Sequence, residues 1–155
     1  MRRGLQEELK QAKPFTCLEE EAFLNIARTA AVLEHAFAQS LKPYGITGTQ
    51  YNVLRILRGA RPDGLCRNAI GERLVRSVPD VTRLLDRMED MKLISRERTG
   101  TDRRYVTTRI SRQGLELLAR LDEEIAGMHR QQIGHVDGRS LRALVDTLTK
   151  IRHAE

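Results

Sequence analysis

The sequence predicts a mainly α fold with a small β-hairpin wing, an α+β arrangement, and three observations carry that expectation. Six stretches place apolar residues at three- and four-residue intervals, the spacing of a helix with one buried face. One pair of short runs, Leu93–Thr99 and Tyr105–Ile110, alternates instead, around Gly100-Thr101-Asp102-Arg103. Aromatic residues make up only 4% of the chain and Trp is absent, so the core has to be aliphatic, which suits helices striped with Leu and Ile.

Taken in order, residues 1–15 are polar, include Pro14, and read as a loose or docking arm. Thr16 and Glu19 have the spacing of a capping box, in which each side chain satisfies the other's backbone N–H. The helix they open carries Ala22, Ile26, Ala30, Leu33, Phe37 and Leu41 on one face, and Pro43 with Gly45 stops it. Thr47 and Gln50 form a second capping box for a helix lined by Tyr51, Leu54 and Leu57 and ending at Gly59. Arg61-Pro62-Asp63-Gly64 is a turn. A short helix through Ala69, Ile70 and Leu74 follows, with Cys66 at its opening, and Val75-Arg76 is a tight connection. Ser77 is the expected cap of the next helix, with Asp80 at its third position and Pro79 in its first turn, where the missing N–H does no harm. In the second strand Val106, Thr108 and Ile110 share one face and Tyr105, Thr107 and Arg109 the other. Ser111 caps a long helix with Leu115, Leu118, Leu121, Ile125 and Met128, broken at Gly134. A final helix from about Ser140 aligns Leu141, Leu144, Leu148 and Ile151.

Charge narrows the function. The net charge is +6 and the pI about 9.8. Residues 67–112 hold 12 Lys/Arg against 7 Asp/Glu, whereas residues 1–66 hold 9 against 7 and residues 113–155 hold 6 against 7. The excess therefore sits in the middle third, a distribution that fits a nucleic-acid face on a near-neutral scaffold and, from charge alone, equally a well-solvated surface. No apolar run approaches the ~20 residues of a membrane span, and Met1–Glu8 lacks the apolar stretch of a secretory signal, so a cytoplasmic protein is expected, on the nucleoid when bound to DNA. Cys17 and Cys66 form no CxxC and are expected to be free thiols. There is no HExxH, no GxSxG, no Gly-rich phosphate loop and no carboxylate pair suited to acid–base work, so no enzyme and no cofactor is expected. His35, His129, His135 and His153 include no i, i+4 pair, and no metal site is expected.

The Ser77–Met91 stretch carries the chemistry. At ~100° per residue, Val81, Leu84, Leu85, Met88 and Met91 fall on one side. Pro79, Thr82, Arg83, Asp86 and Asp90 fall on the other, with Arg87 at the edge. The preceding short helix ends only a few residues earlier, which makes a helix-turn-helix whose second helix enters the major groove. Thr82 and Arg83 then face base edges, and Ser77 with the free N–H groups of the first turn suits a phosphate. Asp86 orients Arg83 or Arg87, or accepts from a cytosine amine. The hairpin that follows is basic, with Lys92, Arg96, Arg98, Arg103, Arg104 and Arg109 against Glu97 and Asp102. Its tip, Asp102-Arg103-Arg104, suits insertion of an arginine into a narrow minor groove, with Arg98 on the flank.

Ser77 to Met88 (SVPDVTRLLDRM), then Leu93-Ile94, then Asp102-Arg103-Arg104 and Ile110-Ser111, resemble the MarR family of transcriptional regulators. Asp102, Arg104, Ile110 and Ser111 fill the family's wing signature with conservative changes, and Tyr44 to Tyr51 is similar to the family's entry into its second helix. The resemblance spans about Leu18 to Ile151. It departs at Lys92, where the family usually has Gly; a turn needing positive φ there would burden a lysine.

The resemblance implies a winged helix-turn-helix homodimer on a palindromic double-stranded operator, most often a repressor. It implies an arm at 1–15, a dimerisation helix at 16–45, a DNA-binding lobe at 46–111 and C-terminal dimerisation helices at 112–155. Leu18 and Ala22 at one chain end and Leu141, Leu144, Leu148 and Ile151 at the other are the implied interface. Relatives are released or modulated by a small aromatic or phenolic anion held between the dimer helices and the DNA-binding lobe; His35, Tyr51 and Arg55 are the residues here that could line such a pocket, or else Tyr51 is core and the other two are surface. A peroxide-sensing branch uses an early cysteine and two tyrosines, but those positions are Phe23, Phe37 and Gly48 here. A thiol-sensing regulator and a winged helix used only for protein–protein contact stand as the alternatives.

Overall fold

A computed structural model describes residues 4–98 and 106–153 of the 155-residue chain. The wing-tip residues Asp102, Arg103 and Arg104 lie outside the described residues, as do Thr99 and Tyr105 at the strand ends.

The arm holds one helical turn, α1 (Leu5–Glu8), whose Leu5 is buried; the segment docks. Helix α2 (Leu18–Leu41) starts two residues later than its predicted cap. Cys17 is the N-cap, and Glu20 rather than Glu19 folds back, accepting from the Thr16 backbone N–H at 2.7 Å and the Thr16 hydroxyl at 2.6 Å. Once Cys17 takes the cap, the third helical position belongs to Glu20, but the predicted reciprocal box does not form: the Cys17 side chain makes no capping bond and Glu20 holds the residue before the cap. A 3-10 turn over Lys42–Tyr44 ends at Gly45 with φ +69, which closes the helix as Pro43 and Gly45 require.

Helix α3 (Gly48–Gly59) has the predicted capping box: Gln50 N–H donates to Thr47 Oγ1 at 3.2 Å and Thr47 N–H to Gln50 Oε1 at 2.8 Å. It buries Tyr51, Val53, Leu54 and Leu57, the centre of an aliphatic core completed by Leu41, Ile70, Leu85, Met88, Leu118 and Leu121. After the Arg61–Gly64 turn the chain forms β1 (Leu65–Cys66), a strand not predicted from sequence because two residues show no alternation. Gly64 holds φ +78, and a Cβ there would lie 2.5 Å from the Thr108 carbonyl oxygen, so β1 can approach the sheet only from a glycine. Helix α4 (Arg67–Arg73) and helix α5 (Val81–Asp90) follow.

Strands β2 (Ile94–Arg98) and β3 (Val106–Ile110) pair antiparallel, with Ile94 opposite Ile110 and Arg96 opposite Thr108. The sheet order is β1-β3-β2. Thr108 and Ile110 are buried and Val106 half-buried on the predicted inner face. Helix α6 (Arg112–Ile133) is capped by Ser111, which accepts from Gly114 N–H at 3.0 Å and donates to the Lys92 carbonyl at 2.7 Å. A Cβ on Gly114 would sit 2.3 Å from the Leu93 carbonyl oxygen, so the helix start and the hairpin base touch backbone to backbone. Arg58 of α3 grips Asp122 of α6 with two bonds of 2.7 and 3.1 Å.

Helix α7 (Gly138–Arg152) is capped by Asp137, ahead of the predicted start near Ser140, because the Asp137 carboxylate takes the N–H groups of Arg139 and Ser140 at 3.0 Å each. No residue of α7 is buried. Leu141 and Leu148 are half-buried, while Leu144 and Ile151 are 52% and 56% exposed. Leu18 and Ala22 of the first long helix are exposed too. Among the described residues no helix is long and apolar enough to cross a membrane.

Candidate nucleic-acid interface

Ser77 does not cap α5, the helix expected to enter the major groove. The chain from Leu74 to Asp80 is non-helical, and α5 begins at Val81 with Asp80 as N-cap, its carboxylate accepting from Arg83 N–H at 2.9 Å. Pro79 disfavours helical backbone at Val78, which pushes the start beyond it. The free N–H groups expected at Ser77 therefore belong to Val81–Arg83, and the acidic cap takes one of them. A phosphate role for Ser77 through a helix terminus falls with that shift; Ser77 is exposed in the connecting segment instead.

The two faces of α5 divide as predicted. Leu84, Leu85 and Met88 are buried, with Val81 and Met91 partly so. Thr82, Arg83, Asp86, Arg87 and Asp90 are exposed, and Pro79 with them. Arg67 of α4, which sequence reasoning passed over, joins this face by donating to Thr82 Oγ1 at 3.1 Å. Arg87 Nε donates to the Arg83 carbonyl at 3.3 Å. Thr47, Thr49, Pro79, Arg83 and Arg87 line a hollow of about 380 Å³ between the starts of α3 and α5.

Asp86 is tied neither to Arg83 nor to Arg87. Its carboxylate lies 2.7 Å from Arg96 of β2, which also meets Glu89 at 2.6 Å and donates its backbone N–H to Glu89 at 3.0 Å. Glu89 first, and Asp86 after it, hold the Arg96 guanidinium even more firmly protonated than a free one. Arg109 is likewise committed, to Glu97 at 2.7 Å and the Pro62 carbonyl at 3.2 Å. Two of the six basic residues of the hairpin thus serve the fold. Arg98 is exposed and makes no ion pair among the described residues. The helix closes in a paired-carbonyl end: Lys92 N–H bonds to Glu89 O at 2.8 Å and Leu93 N–H to Met88 O at 3.0 Å, with Lys92 at φ +58 where glycine is customary.

On the other side of the helix-turn-helix lies a cleft of about 560 Å³. Its walls include Phe37, Ala38, Tyr51 and Val75, and its charged groups are Glu34, Arg55 and Arg76. Tyr51 is buried, meets Phe37 edge-on at 5.4 Å, and accepts from Arg55 Nη1 at 3.1 Å. Tyr51 is thus both core and pocket wall. His35 is exposed and does not line the cleft; it lies beside Glu34 on α2, one position off the facing side. Arg76, next to Val75 in the connection before α5, takes the place expected of it. Phe37 and Gly48 do come together, with the ring 3.1 Å from where a Gly48 Cβ would stand, but neither carries a phenol. Cys17 and Cys66 are free and exposed. Among the described residues no cluster of His, Cys, Asp and Glu could hold a metal ion.

Comparison with known proteins agrees with this architecture. The sequence model of the MarR family matches residues 44–104. The chain is similar to a MarR transcription factor from Planctomyces limnophilus, 33% identical with a TM-score of 0.69, covering 88% of this chain and 98% of that one. It shares its fold with S. aureus MepR in a complex with DNA, at 24% identity and a TM-score of 0.78 over 92% of this chain and 100% of that one. It likewise shares the fold of Bordetella bronchiseptica BpsR, whose DNA binding is regulated by 6-hydroxynicotinic acid, at 19% identity and a TM-score of 0.78, again over 92% and 100%.

Proposed function

The chain belongs to the MarR family of transcriptional regulators, and from that premise we propose that it is a homodimeric repressor that grips a palindromic DNA operator and releases it when a small aromatic or phenolic anion binds. The observation that carries this reading is the outward face of α5, where Thr82 and Arg83 stand exposed above a buried apolar stripe. Arg83 and Thr82 read base edges in the major groove, where a bidentate arginine–guanine pair discriminates by ~1–3 kcal/mol. Pro79, Ser77 and Arg87 flank the backbone, and Arg98, Arg103 and Arg104 of the wing contact phosphates or the adjacent minor groove.

The chain-end helices form the dimer. Supporting this, no residue of α7 is fully buried in the single chain, and Leu18, Ala22, Leu144 and Ile151 stand exposed at helical spacing, beyond what a solvated helix carries. The unit divides as arm 1–15, dimerisation helix 16–45, DNA-binding lobe 46–111 and dimerisation helices 112–155. The two recognition helices then fall about one helical turn of DNA apart. For the effector, the Tyr51–Arg55 wall of the cleft joins an aromatic surface to a cation, and the regulation of BpsR by 6-hydroxynicotinic acid gives the fold a precedent.

Selection of binding sites from random duplexes tests the proposal. A palindrome with half-sites ~10 bp apart is expected, together with affinity that falls steeply with salt. Absence of duplex binding at low salt would leave the protein-interaction alternative in its place.

A further inference from the structure

The cleft beside α3 is roofed by the connection that leads into α5. Val75 N–H donates to Asn52 Oδ1 at 2.9 Å, and Arg76 pairs with Glu34 of α2. All four residues line the cleft. The segment that sets where α5 begins is therefore tied to α2 by one ion pair and to α3 by one hydrogen bond, both at the cleft wall. The Glu34 and Arg76 side chains are 53% and 67% exposed, so a solute can reach the pair, and an exposed pair is weak enough for a competing anion to open. The charged groups of the cleft are two guanidiniums and one carboxylate, and Arg55 makes no ion pair among the described residues.

The geometry points to the Glu34–Arg76 ion pair as an anion-sensitive latch: a planar aromatic carboxylate stacked in the cleft replaces Glu34 as the partner of Arg76, freeing the connection before α5 from α2. This deepens, and rests on, the effector reading of the same cleft. With the latch closed, α5 is held in fixed relation to α2, and preorganisation of this kind favours DNA binding. With it open, the connection keeps its bond to Asn52 and the core contacts of Leu74 and Val78, but loses its tie to α2. The anion acts by taking a specific contact away, which is the differential interaction that any ligand-driven shift needs.

Glu34→Gln removes the carboxylate and nothing else from the latch. The test measures operator affinity with and without saturating 2-hydroxybenzoate, and the affinity for 2-hydroxybenzoate itself by calorimetry, in wild type, Glu34→Gln and Arg76→Gln. The wild type is expected to bind the probe and lose operator affinity. Glu34→Gln is expected to bind the operator about threefold more weakly than wild type without probe, although its extra positive charge alone would strengthen DNA binding. It should still bind the probe, yet lose no further operator affinity. Arg76→Gln, which breaks the pair from the other side, must show the same lost response. Glu34→Gln with wild-type operator affinity and a wild-type response overturns the latch and leaves the effector site intact. A wild type that does not bind millimolar probe overturns both.

Discussion

The Arg96 guanidinium lies 2.7 Å from the Asp86 carboxylate, so an acidic residue on the outward face of α5 is neutralised by the first strand of the wing. If α5 reads DNA as proposed, that contact offsets the charge of Asp86 on the face turned to the phosphates. Glu89, with 38% of its side chain exposed, completes the bridge from helix to sheet. Arg96→Ala should therefore weaken binding to selected and random duplexes alike, by two exposed negative charges, and lower stability by ~1 kcal/mol, since the partners are partly solvated. Fluorescence anisotropy and thermal melts check both. Unchanged affinity on both duplexes would mean that Asp86 lies too far from DNA to matter.

Arg83→Ala should cost ~1–3 kcal/mol at one base pair of each half-site and relax the sequence preference there. Arg98→Ala should weaken binding evenly across sequences and reduce the salt slope by about one. Measuring both variants against a panel of single-base operator mutants separates base reading from backbone anchoring. If the two behave alike, Arg83 is a backbone contact.

Lys92 sits at φ +58 at the end of α5. A side chain in left-handed backbone costs ~1–2 kcal/mol, and glycine recovers this minus its larger unfolded-state entropy. Lys92→Gly is expected to stabilise the protein by up to ~1 kcal/mol, and Lys92→Val to destabilise it. Urea midpoints decide; a destabilised glycine variant would contradict the account.

Leu144→Asp together with Ile151→Asp should convert the dimer to monomers by sedimentation and reduce operator affinity at least tenfold, because each half-site alone is a short interface. Circular dichroism should remain helical, as neither side chain is buried within one chain. A dimer that survives both charges would place the interface elsewhere.

Arg58 holds the Asp122 carboxyl below the usual aspartate range by hydrogen bonding to its charged form. For a depressed carboxyl the contribution to stability is complete above the unfolded value, near pH 4, and is lost as pH falls through the lowered folded value. Arg58→Met should consequently lose less stability than wild type between about pH 5 and pH 2, by well under ~1 kcal/mol because the pair is partly exposed. Denaturant titrations at both pH values test this.

The helices were legible because their periods are long: a stripe such as Val81, Leu84, Leu85 and Met88 repeats often enough to be read without tertiary information. The Thr47–Gln50 box and the Ser111 cap were legible for the same local reason. Strand β1 was not, since two residues next to a helix carry no period and exist as a strand only through pairing with Thr107 and Thr108. The start of α5 was misplaced because Ser77 and Asp80 are both good caps, and the proline between them decides. At the interface, the outward placement of Thr82, Arg83 and Arg87 followed from the period. The Asp86–Arg96 bridge and the recruitment of Arg67 did not, because they join elements whose mutual orientation no local pattern records. His35 takes the surface alternative, one position on α2, about 100° of helix rotation, from the cleft-lining Glu34.

The backbone contact at Gly114 has a mechanical consequence. Where a helix start and a hairpin base meet with no side chain between them, and Ser111 fastens both to the Lys92 turn, there is no slack to bend. The base of the hairpin and the start of α6 are thus expected to move together. In the proposed dimer, a swing of α6 would pass directly to the base of the hairpin, so a substitution far out on α6 is expected to change how the wing meets DNA.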